Sequence, residues 1–300
     1  MTKMIASALW MGLLALAGTC EGIAGPEGPV GAPGPQGAPG KDAVPIPTDC
    51  PAGYILDTSE TKITLCKKGD DEVVRVGTGN TAFWIDRYEA TVWEKPDGSG
   101  KGYGQAVDDY PASFPRNGQL VTSLYALSKG GGRHLPSDNV TWFQANEACR
   151  ASGKRLPTST EWLTAARGTI DPGASNGSGG TCATDSGGVL RATGLGSKCV
   201  SDWGAQDMIG NLWEHTNDWL AGAGTDGINH AWPDAFGHDL TANIASAAFQ
   251  DGKWVPGLPS AVIRGGECRS KEGAGVFALM LNVSPGFADG YLGFRCMIPR

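Results

Sequence analysis

Read for its apolar and polar positions, the chain divides into stretches of different character. Ile5 to Ala17 is a mostly apolar run behind one cation, Lys3. It is too short to span a bilayer comfortably and has the form of an export signal. Tyr54-Ile55-Leu56 and Lys62-Ile63-Thr64-Leu65 have strand character, with a turn at 57–60 between them. Ala82 to Asp86 predicts a further strand running on into Arg87–Val92, and 95–135 is loop-like. Two helices then stand out. Thr141 with Gln144 forms a capping box, Trp142, Ala145 and Cys149 share one face, and Gly153 sits at a C-cap position. Thr158 with Glu161 caps a second helix ending near Ala166. Residues 168–205 and 221–260 are broken by Gly, Asn and Pro, and short strands close the chain at Val262–Arg264 and Phe294–Cys296. Two helices in a body of loops and short antiparallel strands predict an α+β fold.

Composition changes this picture at the N-terminal end. The chain has 46 Gly and 19 Pro, and Gly recurs at 25, 28, 31, 34, 37 and 40. That is the collagen period, in which only Gly fits the axis of three wound chains. So short a run favours a stiff single-chain stalk, roughly 3 Å per residue and on the order of 50 Å long, over a self-sufficient homotrimer. The net charge of −7 gives no broad attraction for nucleic acid or an anionic membrane face. The organisation expected is a signal over 1–20, a stalk over 21–47, a small disulfide hairpin module over 48–78, and the main domain over 79–300.

The eight cysteines fit an oxidising compartment, since no C-x-x-C pair occurs. Cys50 with Cys66, and Cys182 with Cys199, are near enough in sequence to staple local loops. Leu16-Ala17-Gly18-Thr19-Cys20 is similar to a bacterial lipobox, with Thr where Gly or Ala is usual. Lipidation at Cys20 and plain cleavage are both open, and a lipid there is the one membrane attachment expected.

Further landmarks fall in a fixed order: Phe83 to Thr91, Val140-Thr141-Trp142, Gly153-Lys154-Arg155-Leu156-Pro157-Thr158 with Glu161-Trp162, Trp203-Gly204, Gly210-Asn211-Leu212-Trp213-Glu214, Arg264-Gly265-Gly266 and Gly293-Phe294-Arg295-Cys296. This set, over about 81–300, resembles the sulfatase-modifying-factor, or formylglycine-generating-enzyme, domain. The resemblance implies a variant C-type lectin fold, a disulfide between Cys149 and Cys296, and a calcium site. Mapped residue by residue, the calcium ligands would be Asp207, Gly210, Leu212 and Glu214, two carboxylates and two carbonyls suited to a hard cation. His215 stands where the family usually has Trp.

The family's enzymes hold copper with two cysteines a few residues apart after the Arg-Gly-Gly motif, because soft thiolates suit Cu(I). Here that segment carries Cys268 alone. Copper, and with it an oxidase acting on a sulfatase cysteine, is therefore disfavoured, Cys268 being the one weak catalytic candidate. Gly273 to Asn282, Pro285 and Gly293-Phe294-Arg295 also resemble the variable region of retroelement-diversified proteins. Alternation places Phe277, Leu279 and Leu281 on a buried face and Ala278, Met280 and Asn282 outward. The contact surface expected is Glu267, Arg269, Lys271, Glu272, Met280, Asn282, Val283, Phe287, Asp289 and Tyr291. The reading that results is an exported, displayed binding protein whose ligand is a protein, a glycan or a cell surface. Its rivals are the oxidase and a purely structural surface protein.

Overall fold

The computed structural model describes residues 50–118, 123–220, 247–250, 252–256 and 259–299. The apolar run, the lipobox at Cys20 and the Gly-x-y stretch lie outside the described residues.

A five-stranded antiparallel sheet opens the domain. Its members are β1 (Ile55–Leu56), β2 (Leu65–Lys68), β3 (Asp71–Val76), β4 (Phe83–Asp86) and, from the far end of the chain, β14 (Met297–Ile298). Val73, Val74 and Val76 are buried at the centre, where Val74 opposes Ile85. The expected separate hairpin module is thus no separate unit. β3 pairs through Val73–Val76 with the whole of β4, and Asp71 of β3 and Asp86 of β4 both accept from Lys154 at 2.7 Å. The second hairpin strand also starts later than its apolar pattern predicts, at Leu65, and pairs Cys66 with Leu56.

The next sheet has three strands, β5 (Thr91–Trp93), β6 (Gly102–Tyr103) and β7 (Tyr125–Leu127), with β5 in the middle. Helix α1 (Trp142–Ala151) packs here through Ala145, Ala148 and Cys149. Helix α2 (Ser159–Ala166) covers the first sheet through Trp162, Ala165 and Ala166. Both expected capping boxes form, at Thr141/Gln144 and Thr158/Glu161, and Gly153 takes the left-handed φ of +73° just past α1.

The remaining strands are β8 (Trp213–Leu220), β9 (Ala247–Gln250), β10 (Lys253–Pro256), β11 (Ser260–Gly265), β12 (Gly275–Val283) and β13 (Leu292–Phe294). They form a six-stranded mixed sheet in the order β10-β9-β12-β11-β8-β13. β13 runs parallel to β8 and β12 to β9, while β11 is antiparallel to both β8 and β12 and β10 is antiparallel to β9. Three disulfides join Cys50–Cys66, Cys149–Cys296 and Cys182–Cys199. The second ties α1 to Cys296, just ahead of β14, across 147 positions.

Candidate functional site

A pocket of about 390 Å³ opens on one face of the six-stranded sheet. Its floor is apolar: Trp213 from β8, Ile263 from β11, Val283 from β12 and Leu292 from β13 are all buried. Met280 and Asn282 of β12 form one wall. Phe249 of β9 and Phe287, edge to face at 5.9 Å, form another. Charge is confined to the rim. Glu267 accepts from the Arg269 N–H at 2.8 Å and faces its guanidinium, which lies 3.4 Å from the centre of the Tyr291 ring. On another side of the mouth, Asp289 accepts from the Tyr291 N–H at 3.0 Å, and its carbonyl accepts from Asn139 at 3.0 Å. Such a cavity, apolar below and polar at its edge, has the size and character of a ligand site.

Most of the expected contact residues therefore meet in one place: Glu267, Arg269, Met280, Asn282, Val283, Phe287, Asp289 and Tyr291 all line the pocket. Glu267 and Val283 are buried, at 8% and 5% exposure, one at the inner rim and the other in the floor, and neither stands on an outer surface. Lys271 and Glu272 do not line it. They sit exposed on a short 3-10 turn, where Lys271 lies 3.9 Å from Asp185.

The simple alternation read along 277–282 does not hold. Ala278 is fully buried with Trp213, Ile263 and Leu292, while Phe277, Leu279 and Leu281 are half-buried. The β11–β12 register shifts twice, between Ala261 and Ile263 and between Arg264 and Gly265, so period two breaks within the strand. Strand β8 was missed because Glu214, His215, Asn217 and Asp218 interrupt its apolar pattern. Trp213, the pocket residue it carries, could have been found from the Gly-Asn-Leu-Trp-Glu landmark.

Asp207, Gly210 and Leu212 lie on the tight turn that leads into β8, and Glu214 is the second residue of that strand. Gly210, at φ +77°, has no room for a Cβ, which would fall 2.3 Å from the Ala183 carbonyl oxygen. The Leu212 N–H donates to Glu89 at 3.0 Å. Glu214 accepts from the Arg295 guanidinium at 2.6 and 2.7 Å and from the Trp162 indole at 2.7 Å. Asp207 accepts from Arg191. Each carboxylate of the expected set already faces a guanidinium, so the donors as arranged do not fit a calcium ion. Burial, with Asp207 and Glu214 nearby, holds the Glu89 carboxyl well above its ordinary pKa.

The sulfatase-modifying factor enzyme 1-like domain model matches residues 61–299. The chain belongs to this family. Its α+β architecture is the loop-rich, variant C-type lectin fold of the formylglycine-generating-enzyme type. A tail fiber receptor-binding protein of Bordetella phage BPP-1 is 27% identical over 217 residues, covering 71% of this chain and 49% of that protein. The chain thus spans about half the length of that relative. Among solved structures, the Major Tropism Determinant P3c variant is 22% identical with a TM-score of 0.42, over 75% of this chain and 51% of that one. Treponema denticola variable protein 1 is 18% identical with a TM-score of 0.44, over 79% and 99% of the two chains.

For a sulfatase-modifying-factor domain, the cysteine after Arg264-Gly265-Gly266 is the place to look for redox chemistry. Cys268 is buried and, among the described residues, the one unbridged thiol. Its N–H donates to the Asn211 carbonyl at 3.1 Å, and its carbonyl accepts from Ser186 at 2.8 Å. Burial pushes the thiol up to about 11, so it is protonated at neutral pH. The other described cysteines are all locked in bridges. One protonated thiol does not fit the two-thiolate copper site of the family's enzymes.

Proposed function

We propose that this chain is an exported, surface-displayed ligand-binding protein that uses a sulfatase-modifying-factor scaffold without its oxidase chemistry. The observation that carries the reading is the preformed pocket, where a rigid apolar floor is ringed by Glu267, Arg269, Asp289 and Tyr291. Preformed floors lower the ordering cost of binding, and aromatic walls supply contact area. The ligand is a group displayed on another surface, carried by a protein or a glycan. The phage relative is named for receptor binding, in keeping with such a role.

The N-terminal parts complete the proposal. Residues 1–20 direct export, Cys20 is the point of lipid attachment if the chain is anchored, and the Gly-x-y stretch holds the domain away from that anchor. Gathering into trimers through that stretch would add avidity. No helix among the described residues is long and apolar enough to cross a membrane.

The test is binding of fluorescent protein to a panel of intact bacterial and host cells, scored by flow cytometry. Asn282→Trp fills the pocket mouth, and Phe287→Arg places a cation in its wall. Both should abolish cell binding while leaving the melting temperature within about 2 °C, since each changes a half-buried position. Binding that survives both variants would refute the pocket. Aldehyde formation on a sulfatase-motif peptide supplied with Cu(I) would establish the oxidase instead.

A further inference from the structure

The turn that leads into β8 has an unusual neighbour. Arg191 directs one guanidinium nitrogen at the carbonyls of Gly177, at 3.2 Å, and Thr181, and the other at the Asp207 carboxylate. The Arg191 side chain is 11% exposed and that of Asp207 2%. Its backbone is fixed too, with the Arg191 N–H donating to the Asn211 side-chain oxygen at 2.7 Å and the Arg191 carbonyl accepting from the same amide at 3.2 Å. The packing is close: an added Cβ would fall 2.9 Å from the guanidinium at Gly177 and 2.8 Å from it at Gly196. A carboxylate and main-chain carbonyls converging on one positive centre is an arrangement otherwise met around hard divalent cations. Here a planar, permanently charged fork fills it.

The two carboxylates of the expected metal set are already paired. Asp207 faces the Arg191 guanidinium and Glu214 faces that of Arg295, all four side chains being buried or nearly so. A divalent ion would have to displace an arginine.

Arg191 also lies on the loop that borders the pocket. The Cys182–Cys199 bridge closes this loop. From it, Ser186 donates to the Cys268 carbonyl and Thr184 accepts from the Lys271 N–H, both at 2.8 Å. At Gly188 the loop comes so near the rim that a Cβ would lie 2.9 Å from the Tyr291 hydroxyl and 3.6 Å from the Arg269 side chain.

We propose that Arg191 is a resident cation that takes the structural place of a bound metal ion and, through the 182–199 loop, positions the rim of the pocket. The rim part rests on the pocket being the binding site; the cation part does not. Ligand binding by this domain then needs no divalent cation.

The experiment uses the full chain with Cys20→Ala, so that an aromatic disulfide reagent reports on Cys268 alone, behind the loop. Melting temperature and native-state thiol reactivity are followed in EDTA, in millimolar CaCl2, and in millimolar methylguanidinium or methylammonium. With Arg191 intact, neither EDTA nor CaCl2 should move either quantity. Arg191→Ala should lower the melting temperature and speed the thiol reaction by about tenfold or more, as the loop opens locally. Methylguanidinium should reverse part of this and methylammonium should not. Should the alanine variant fail to fold, Arg191→Lys keeps the charge, loses the fork, and should still react faster than the parent. A parent protein loosened by EDTA would overturn the proposal, and so would an Arg191 variant whose thiol reacts at the parental rate. None of these measurements needs the ligand, so they stand apart from success or failure of the cell-binding test.

Discussion

Arg295 shows how much one side chain can carry. It is fully buried, donates to Glu214 twice, and also donates to the Gln206 carbonyl at 2.9 Å and the Asp86 carbonyl at 3.2 Å. Removing one partner of such a pair strands the other as an uncompensated charge. Arg295→Met is therefore expected to cost about 3–5 kcal/mol, measured by urea unfolding at neutral pH. Asp138 gives a second test with a definite sign. Burial raises its carboxyl from the ordinary 3.8 to about 7, so the folded state holds a proton that the unfolded state releases. The stability tied to that proton is present below pH 4 and is lost as pH rises through about 7. Asp138→Asn should flatten the stability-against-pH curve over this window. A variant curve that keeps the parental slope would place the titration elsewhere. Neither residue could be ranked from sequence, since Arg295 meets Glu214 across 81 positions and Asp138 owes its shift to what covers it.

At the scale of elements, legibility followed locality. Both helices were readable because capping boxes are written within four residues, and both form as expected. Strands were harder. β8 carries polar residues along most of its length, and β9 and β10 lie in a stretch rich in loop-forming residues. Eight of the pocket residues were legible as a group because they cluster between Gly266 and Gly293, whereas Trp213, Phe249 and Ile263 come from other strands and were not. The face on which each stands was not, because two register shifts in β12 cannot be seen without its partner strand. The disulfides make a testable contrast between elements. Cys149–Cys296 closes 147 positions and Cys50–Cys66 only 16. Chain entropy alone ranks the first at about 4–5 kcal/mol and the second at about 3. Paired alanine substitutions, compared by thermal unfolding, should show the larger loss for the long bridge. The reverse order would mean that native packing, and not closure of the unfolded chain, sets the values.

The whole molecule is less modular than its sequence suggests. A short disulfide hairpin followed by a recognisable domain reads as spacer and head, yet the hairpin supplies three strands of the first sheet and a carboxylate for Lys154. Deleting 50–78 should therefore yield insoluble protein, because β4 would lose the strand that covers one edge and Lys154 one of its two anions. Soluble, cooperatively unfolding protein from that deletion would restore the spacer view. Saturation mutagenesis scored by cell-surface display should divide the segment between Gly266 and Gly293 in two. Met280, Asn282, Phe287 and Tyr291 should accept most residues, whereas Ala278 and Val283 should accept few, being packed with Trp213 and Ile263.

The bridge from α1 to Cys296 has one more effect. Together with the β11 strand it fastens the polypeptide on either side of the pocket-lining stretch, as a frame holds a canvas. A lineage carrying this frame can repaint the surface between those fixings generation after generation and still inherit a working fold.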